Sequence, residues 1–120
     1  MQFLLGSQKK NGHHIFFLSG DLNYDGACRL KNAFIDALSA GETLFVLNLE
    51  GLKIISSHAL STILKISYLA KKKNGVVKVI CPEGNVRDVF YVLELGKVVP
   101  LFSSEKELWA SHDIAIRDSR

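Results

Sequence analysis

The chain has 120 residues, of which 48% are hydrophobic and 22% are charged. This length provides for one domain with one core and is too short for two lobes around a catalytic cleft. The net charge of +3 is too small to indicate nucleic acid as a partner. The densest cationic run, Lys71–Lys73, fits the solvated last turn of a helix, where positive charge is favourable.

Two cysteines, Cys28 and Cys81, exclude a disulfide framework and a CxxC metal or redox site, and we expect both thiols to be buried. The first residues lack the charged start and long apolar region of a signal peptide. No apolar run approaches membrane-spanning length. We therefore expect a cytoplasmic protein without direct membrane insertion, folded as a single domain over 1–120, with a tail that frays from about residue 114.

The first two predicted elements are strands joined by a tight turn. Residues Met1–Leu5 and His14–Ser19 contain short apolar runs bounded by turn residues, which is typical of strands. Between them, Asn11–Gly12 is a strong signal for a hairpin turn. The adjacent His13 and His14 are expected to be exposed.

A helix, a strand and a second helix are predicted next. Asn23 or Asp25 can cap the first helix, which Gly41 ends. Residues Leu44–Leu49 are apolar at nearly every position, as in a central strand covered on both faces. The second helix is expected over 58–73, with a wide apolar face. Three of its residues are expected opposite that face: Thr62, Lys65 and Lys72.

The remaining elements are two strands and two helices. Val76–Cys81 is a further buried strand, followed by a helix that Asn85 caps and Gly96 ends. Val98–Phe102 is a short strand whose proline predicts an edge position. Ser103 or Ser104 caps the last helix, and Glu107 completes a capping box. We expect Leu108 and Trp109 to dock this helix.

The predicted order is ββαβαβαβα, an α/β fold with a mixed, mostly parallel sheet and four helices. Successive βα units favour right-handed crossovers between parallel strands. Function in such sheets concentrates where strands end and helices begin. Two loops at that edge are rich in polar residues, Asp21–Asn23 and Ile55–His58.

The sequence does not indicate catalysis. Its histidines lack a second ligand at a metal-binding spacing, and no glycine-rich phosphate loop is present. Ser57 and His58 invite a nucleophile and base assignment, but neighbours at a helix start point about 100° apart. No acid is placed to orient His58, as a triad requires. We therefore predict a non-enzyme with no catalytic residue, cofactor or metal.

The helix start at Ser56–Ser57 has two possible uses. A serine there can cap the helix by accepting from a backbone N–H two or three residues further on. An exposed serine can instead carry a phosphate, which would meet free N–H groups and the positive end of the helix dipole. Capping explains one of the two serines, so the sequence leaves a modification site open at the other.

Several segments together resemble the STAS domain of bacterial anti-sigma factor antagonists. They extend from about His14 to Trp109, and the matching motifs are Gly20–Asn23, Leu47–Leu52, Ile54–Leu60, Val86–Phe90 and Leu95–Val99. The resemblance implies the STAS fold. It also implies regulation by partner switching, in which a serine kinase that is also the anti-sigma factor binds the antagonist and phosphorylates it, and a phosphatase reverses the modification.

The resemblance assigns Ser57 as the phospho-acceptor. The partner-binding face it implies consists of Asp21, Asn23, Ser56, Ser57, His58 and Thr62.

This chain departs from the family pattern beside the acceptor. The family has aspartate before the acceptor and glycine two residues after it, where this chain has Ser56 and Ala59. Asn23 also replaces a frequent aspartate. An alternative is therefore a STAS domain that binds without being switched, as a scaffold in a signalling complex or as the regulatory subunit of a lipid-transport ATPase.

Overall fold

The computed structural model describes residues 2–118, and the side chains of residues 2–111. Nine helices and strands follow one another in this range: β1 Leu4–Lys10, β2 His13–Leu22, α1 Tyr24–Ser39, β3 Leu44–Ile55, α2 Ser57–Lys72, β4 Val76–Ile80, α3 Asn85–Val92, β5 Leu101–Phe102 and α4 Glu105–Asp118. A 3-10 turn, Leu95–Lys97, lies between α3 and β5. The predicted order of strands and helices is confirmed.

The five strands form one sheet in the order β1-β2-β3-β4-β5. The β1 strand pairs with β2 in antiparallel orientation, and the other three pairs are parallel. The mixed, mostly parallel sheet predicted from the sequence is therefore present. Because β2, β3 and β4 run in the same direction, their carboxyl ends lie at one edge of the sheet.

The sheet carries helices on both faces. Side chains alternate along β3, so Phe45 and Leu47 join the larger core beneath α1, α2 and α3, whereas Val46 points to the other face. On that other face, Val46 packs with Ile15, Ile80 and Leu108, which brings α4 against the sheet. This two-sided cover explains why β3 reads as a continuous apolar run.

Three strands are longer than predicted. The β2 strand runs from His13 to Leu22, whereas His14–Ser19 was expected. The β1 strand runs through Lys10, although the segment was expected to be extended only as far as Leu5. It is an edge strand whose last residues are polar and exposed, so they lack the apolar pattern of a buried strand. The β3 strand continues past Leu49 to Ile55, which carries it directly to Ser56.

The predicted hairpin turn is present, but both predicted ends of α3 are wrong. The hairpin turn is confirmed, with positive φ angles of 51° at Asn11 and 77° at Gly12. The α3 helix follows Gly84 without a side-chain cap, so the capping role expected for Asn85 is wrong. The helix also ends before Gly96, because the chain turns at Glu94 with a φ of 54°.

Burial was predicted wrongly for three residues outside the two polar loops and α2. His13 is only 1% exposed and lies edge-on to Trp109, with ring centroids 5.1 Å apart. His14 is half-buried, where its ring stacks on Phe16 and contacts the Glu42 carboxylate. Both histidines belong to β2 rather than to the turn, which accounts for their burial. Cys28 is half-buried, whereas Cys81 is buried as expected.

The expected fraying of the tail from about residue 114 stays a prediction, because side chains beyond 111 and all of 119–120 lie outside the described residues. Within the described range, no helix has the length and apolar character needed to cross a membrane.

Candidate functional site

The two polar loops predicted from the sequence meet at the carboxyl edge of the sheet. The β2 and β3 strands are parallel neighbours, and their last paired residues are Leu22 and Ile55. Immediately beyond this pair, the backbone N–H of Ser56 donates to the carbonyl of Leu22 at 3.1 Å. This bond holds the start of α2 beside the start of α1.

Asn23 forms the start of α1. Its side-chain Oδ1 accepts from the backbone N–H of Gly26 at 2.9 Å, which decides between the two predicted caps in favour of Asn23. Its own N–H donates to the carbonyl of Asp21 at 3.0 Å, so the loop is a short, hydrogen-bonded turn. Asp21 is half-buried in β2, whereas Asn23 is exposed.

Ser56 and Ser57 divide the start of α2 between them. Ser56 has extended backbone, and its Oγ accepts from the backbone N–H of Ala59 at 3.1 Å, which makes it the N-cap. Ser57 is the first residue of the helix and its side chain is exposed. The cap is therefore made by one serine, and the other presents its hydroxyl to solvent at the helix N-terminus.

Tyr24 extends this surface, and sequence analysis did not identify it. Its ring lies against that of His58, with centroids 4.4 Å apart and planes at 31°. Tyr24 is 62% exposed, and His58 is exposed as well. The only signal in the sequence was its position directly after the helix cap Asn23, which places an aromatic ring beside the second loop.

Thr62 is more buried than its predicted position on α2 implied. It was expected opposite the apolar face of α2, but it is only 7% exposed, and its Oγ1 donates to the carbonyl of His58 at 3.0 Å. Because α1 and α2 pack side by side, Thr62 faces α1 and not solvent. Its assignment to the partner-binding face stays a prediction.

A groove of about 270 Å³ runs from this turn between α1 and α2. Tyr24, Cys28 and Lys31 line it from α1. His58 and Lys65 lie on the α2 side, so the groove continues the exposed surface of the turn. Among the described residues, none that lines the groove is acidic.

The start of α2 carries no negative charge. The helix contains no acidic residue in its first turn, and the residue before Ser57 is the uncharged Ser56. The positive end of the helix dipole is therefore not offset by a charge on the same turn. Elsewhere in the described part of the chain, no three His, Cys, Asp or Glu side chains are grouped as metal ligands.

Comparison with known families gives one clear result. The model of the STAS domain matches residues 6–108, a range that includes the whole sheet and the turn at Ser56–Ser57. No protein with a curated description matches the sequence significantly.

Three solved structures illustrate the range of similar folds. An anti-sigma factor antagonist from Mycobacterium paratuberculosis shares 16% identity at a TM-score of 0.82, with 92% of this chain and 93% of that chain covered. The Bacillus cell fate determinant SpoIIAA in its phosphorylated form shares 21% identity at a TM-score of 0.68, covering 99% and 100%.

A sulfate transporter family protein from Wolinella succinogenes shares 13% identity at a TM-score of 0.75, covering 90% of each chain. At these identities the structural likeness establishes the fold alone. The family itself follows from the match over residues 6–108, and the mixed five-stranded sheet with four helices is consistent with it. The chain belongs to the STAS domain family.

Proposed function

We propose that this protein is a regulator of the anti-sigma factor antagonist type, which binds a serine kinase that is also an anti-sigma factor and is switched by phosphorylation of Ser57. A phosphatase reverses the modification, and the exchange takes place in the cytoplasm. The protein acts by binding and not as an enzyme. The contact surface is the exposed turn formed by Asn23, Ser56, Ser57 and His58, with Asp21 and Thr62 behind it.

The observation that carries this proposal is that the two serines have different roles at the start of α2. Ser56 caps α2, so Ser57 is exposed at the first helical position and its hydroxyl is accessible to a kinase. A phosphate at this position would carry close to two negative charges and face the N-terminal end of α2, where charge of that sign is favoured. The same charge would change how any partner docks over the turn.

The test is phosphorylation in vitro by a serine kinase encoded beside this protein. Incubation with ATP followed by mass spectrometry should find one phosphate on wild-type protein and none on Ser57→Ala. Ser61→Ala is the matched control, because it removes an exposed serine from the next turn of the same helix and should still be labelled. Persistent labelling of Ser57→Ala, or absence of labelling on the wild type, would show that Ser57 is not the acceptor.

The switch requires that modification changes affinity. Isothermal titration of the kinase should give weaker binding for the phosphorylated protein than for the unmodified one, because new charge at a docked surface brings repulsion and desolvation costs. Equal affinities would mean that the turn lies outside the contact.

A second candidate is a STAS subunit that binds without being switched. Ser56 and Ala59 stand where the family has aspartate and glycine, and Ala59 is fully buried, so the turn lacks two features of a phosphorylated antagonist. The STAS-like fold of a sulfate transporter family protein also shows that this architecture occurs outside anti-sigma regulation. Co-purification with a membrane ATPase in place of a kinase would favour the scaffold or lipid-transport role.

A further inference from the structure

The groove between α1 and α2 contains a pair of like charges. Lys31 projects into it from α1 and Lys65 from α2, and the two residues come together only through helix packing. Lys65 on the opposite wall is the main cause of a lowered Lys31 pKa, and burial lowers it further. Two ammonium groups on opposite walls of one small groove repel each other, and an anion between them would relieve the repulsion.

No carboxylate relieves this repulsion from within the groove. The residues that line it within the described part of the chain are polar, aromatic, aliphatic or cationic. The whole of α2 contains no aspartate or glutamate, while Lys71 and Lys72 add positive charge to its last turn. The groove therefore has a lysine on each wall and no lining residue of opposite charge among the described residues.

The other walls of the groove suit a polar ligand. At one end the adjacent rings of Tyr24 and His58 provide a phenol hydroxyl and an imidazole. The exposed Ser61 provides a hydroxyl from α2. These groups donate hydrogen bonds without adding negative charge, which is the combination an oxyanion needs.

The size of the groove limits what it can hold. Its volume of about 270 Å³ lies below the range of about 300–1,000 Å³ that is usual for pockets that enclose a whole small molecule. A single anionic group fits this space, with the rest of its carrier outside. The groove opens beside His58, so the carrier would lie over the turn at Ser57.

We propose that the groove between α1 and α2 is an oxyanion-binding site, in which Lys31 and Lys65 hold a phosphate or carboxylate group between them. The site is separate from Ser57, and it operates in the unphosphorylated protein without a kinase. Its anion comes either from free phosphate or from an acidic side chain of a protein that docks over the groove. Each ammonium group then pairs with an oxygen in place of its like-charged neighbour.

The chain contains its own reporter for occupancy of this site. Cys28 lines the groove and is half-buried, whereas Cys81 is 1% exposed and burial raises its pKa to about 11. Thiol reagents react with the accessible thiolate, so Cys28 should be alkylated by iodoacetamide while Cys81 stays unmodified in the folded protein. Mass spectrometry of the intact chain follows the rate.

The experiment compares alkylation rates of Cys28 with and without inorganic phosphate, at constant ionic strength maintained with sodium chloride. Bound phosphate should slow the reaction at least about threefold at saturation, because it covers the thiol and keeps the reagent from reaching it. Lys31→Gln and Lys65→Gln should each remove this protection. Lys71→Gln, which removes an exposed charge of α2 that does not line the groove, should keep it.

A second arm identifies the source of the anion. A hexaglutamate peptide replaces phosphate at matched concentration, and stronger protection by the peptide assigns the site to an acidic protein side chain. Stronger protection by phosphate assigns it to phosphate. Absence of protection by both probes, or equal protection in the Lys31→Gln and Lys65→Gln variants, would overturn the site and leave the proposed role of Ser57 untouched.

Discussion

The adjacent serines at the start of α2 have different structural roles. The Oγ of Ser56 accepts from the backbone N–H of Ala59 and so stabilises the start of the helix. Ser57 follows it inside the helix, exposed, with no part in that cap. A modification of Ser57 can therefore change the surface without removing the bond that starts the helix.

This difference predicts effects of different size for two similar substitutions on stability. Ser56→Ala should lower the free energy of unfolding by about 1 kcal/mol, because the N–H that Oγ accepts loses its partner. Ser57→Ala should change it by no more than about 0.5 kcal/mol, as is usual for an exposed side chain. Urea denaturation followed by circular dichroism measures both. Equal losses in the two variants would mean that Ser57 shares the capping role.

At the scale of the elements, the position of the site depends on how β2 ends. Register shifts interrupt the pairing of β2 with β3 between Phe17 and Ser19 and between Gly20 and Asp21. Gly20 has a φ of 85°, and a Cβ there would lie 2.0 Å from the carbonyl oxygen of Gln2. Only glycine fits this close approach, which directs the end of β2 toward the start of α1.

Gly20→Ala should therefore destabilise the protein by about 2 kcal/mol or more, since strained backbone and a clash with the main chain add together. Gly41→Ala is the matched control, because Gly41 has a φ of 98° with no atom within 4 Å of an added Cβ. It should cost only about 1 kcal/mol, the backbone term alone. Thermal denaturation compares the two, and a loss at Gly20 no larger than at Gly41 would contradict the clash.

The elements also show what the sequence could and could not predict. Order, type and sheet character follow from apolar periodicity, and both loops of the site follow from the polar residues that end β2 and β3. The exposed half of β1 has no such periodicity, so its length was missed. Lys31 and Lys65 meet only because α1 packs on α2. Periodicity within one helix contains no information about that contact.

At the scale of the whole molecule, different helices pack on the two faces of the sheet. The larger core lies under α1, α2 and α3, and the first two of these helices carry the turn and the groove. The smaller core on the opposite face is formed by Ile15, Val46, Ile80 and Leu108, with Leu108 as the contribution of α4. Stability from α4 can therefore be changed without touching the proposed binding surface.

Leu108→Ala should test this separation. Leu108 is 0% exposed, so its truncation should lower the free energy of unfolding by about 2–5 kcal/mol through lost burial and a residual cavity. Leu93→Ala, at a leucine that is 54% exposed after α3, is the matched control and should have a much smaller effect. Chemical denaturation gives both values.

At a temperature where the Leu108→Ala variant stays folded, the proposed phosphorylation of Ser57 should proceed as in the wild type, because α4 packs on the face away from α2. A labelling defect in folded Leu108→Ala protein would show that the two faces are coupled.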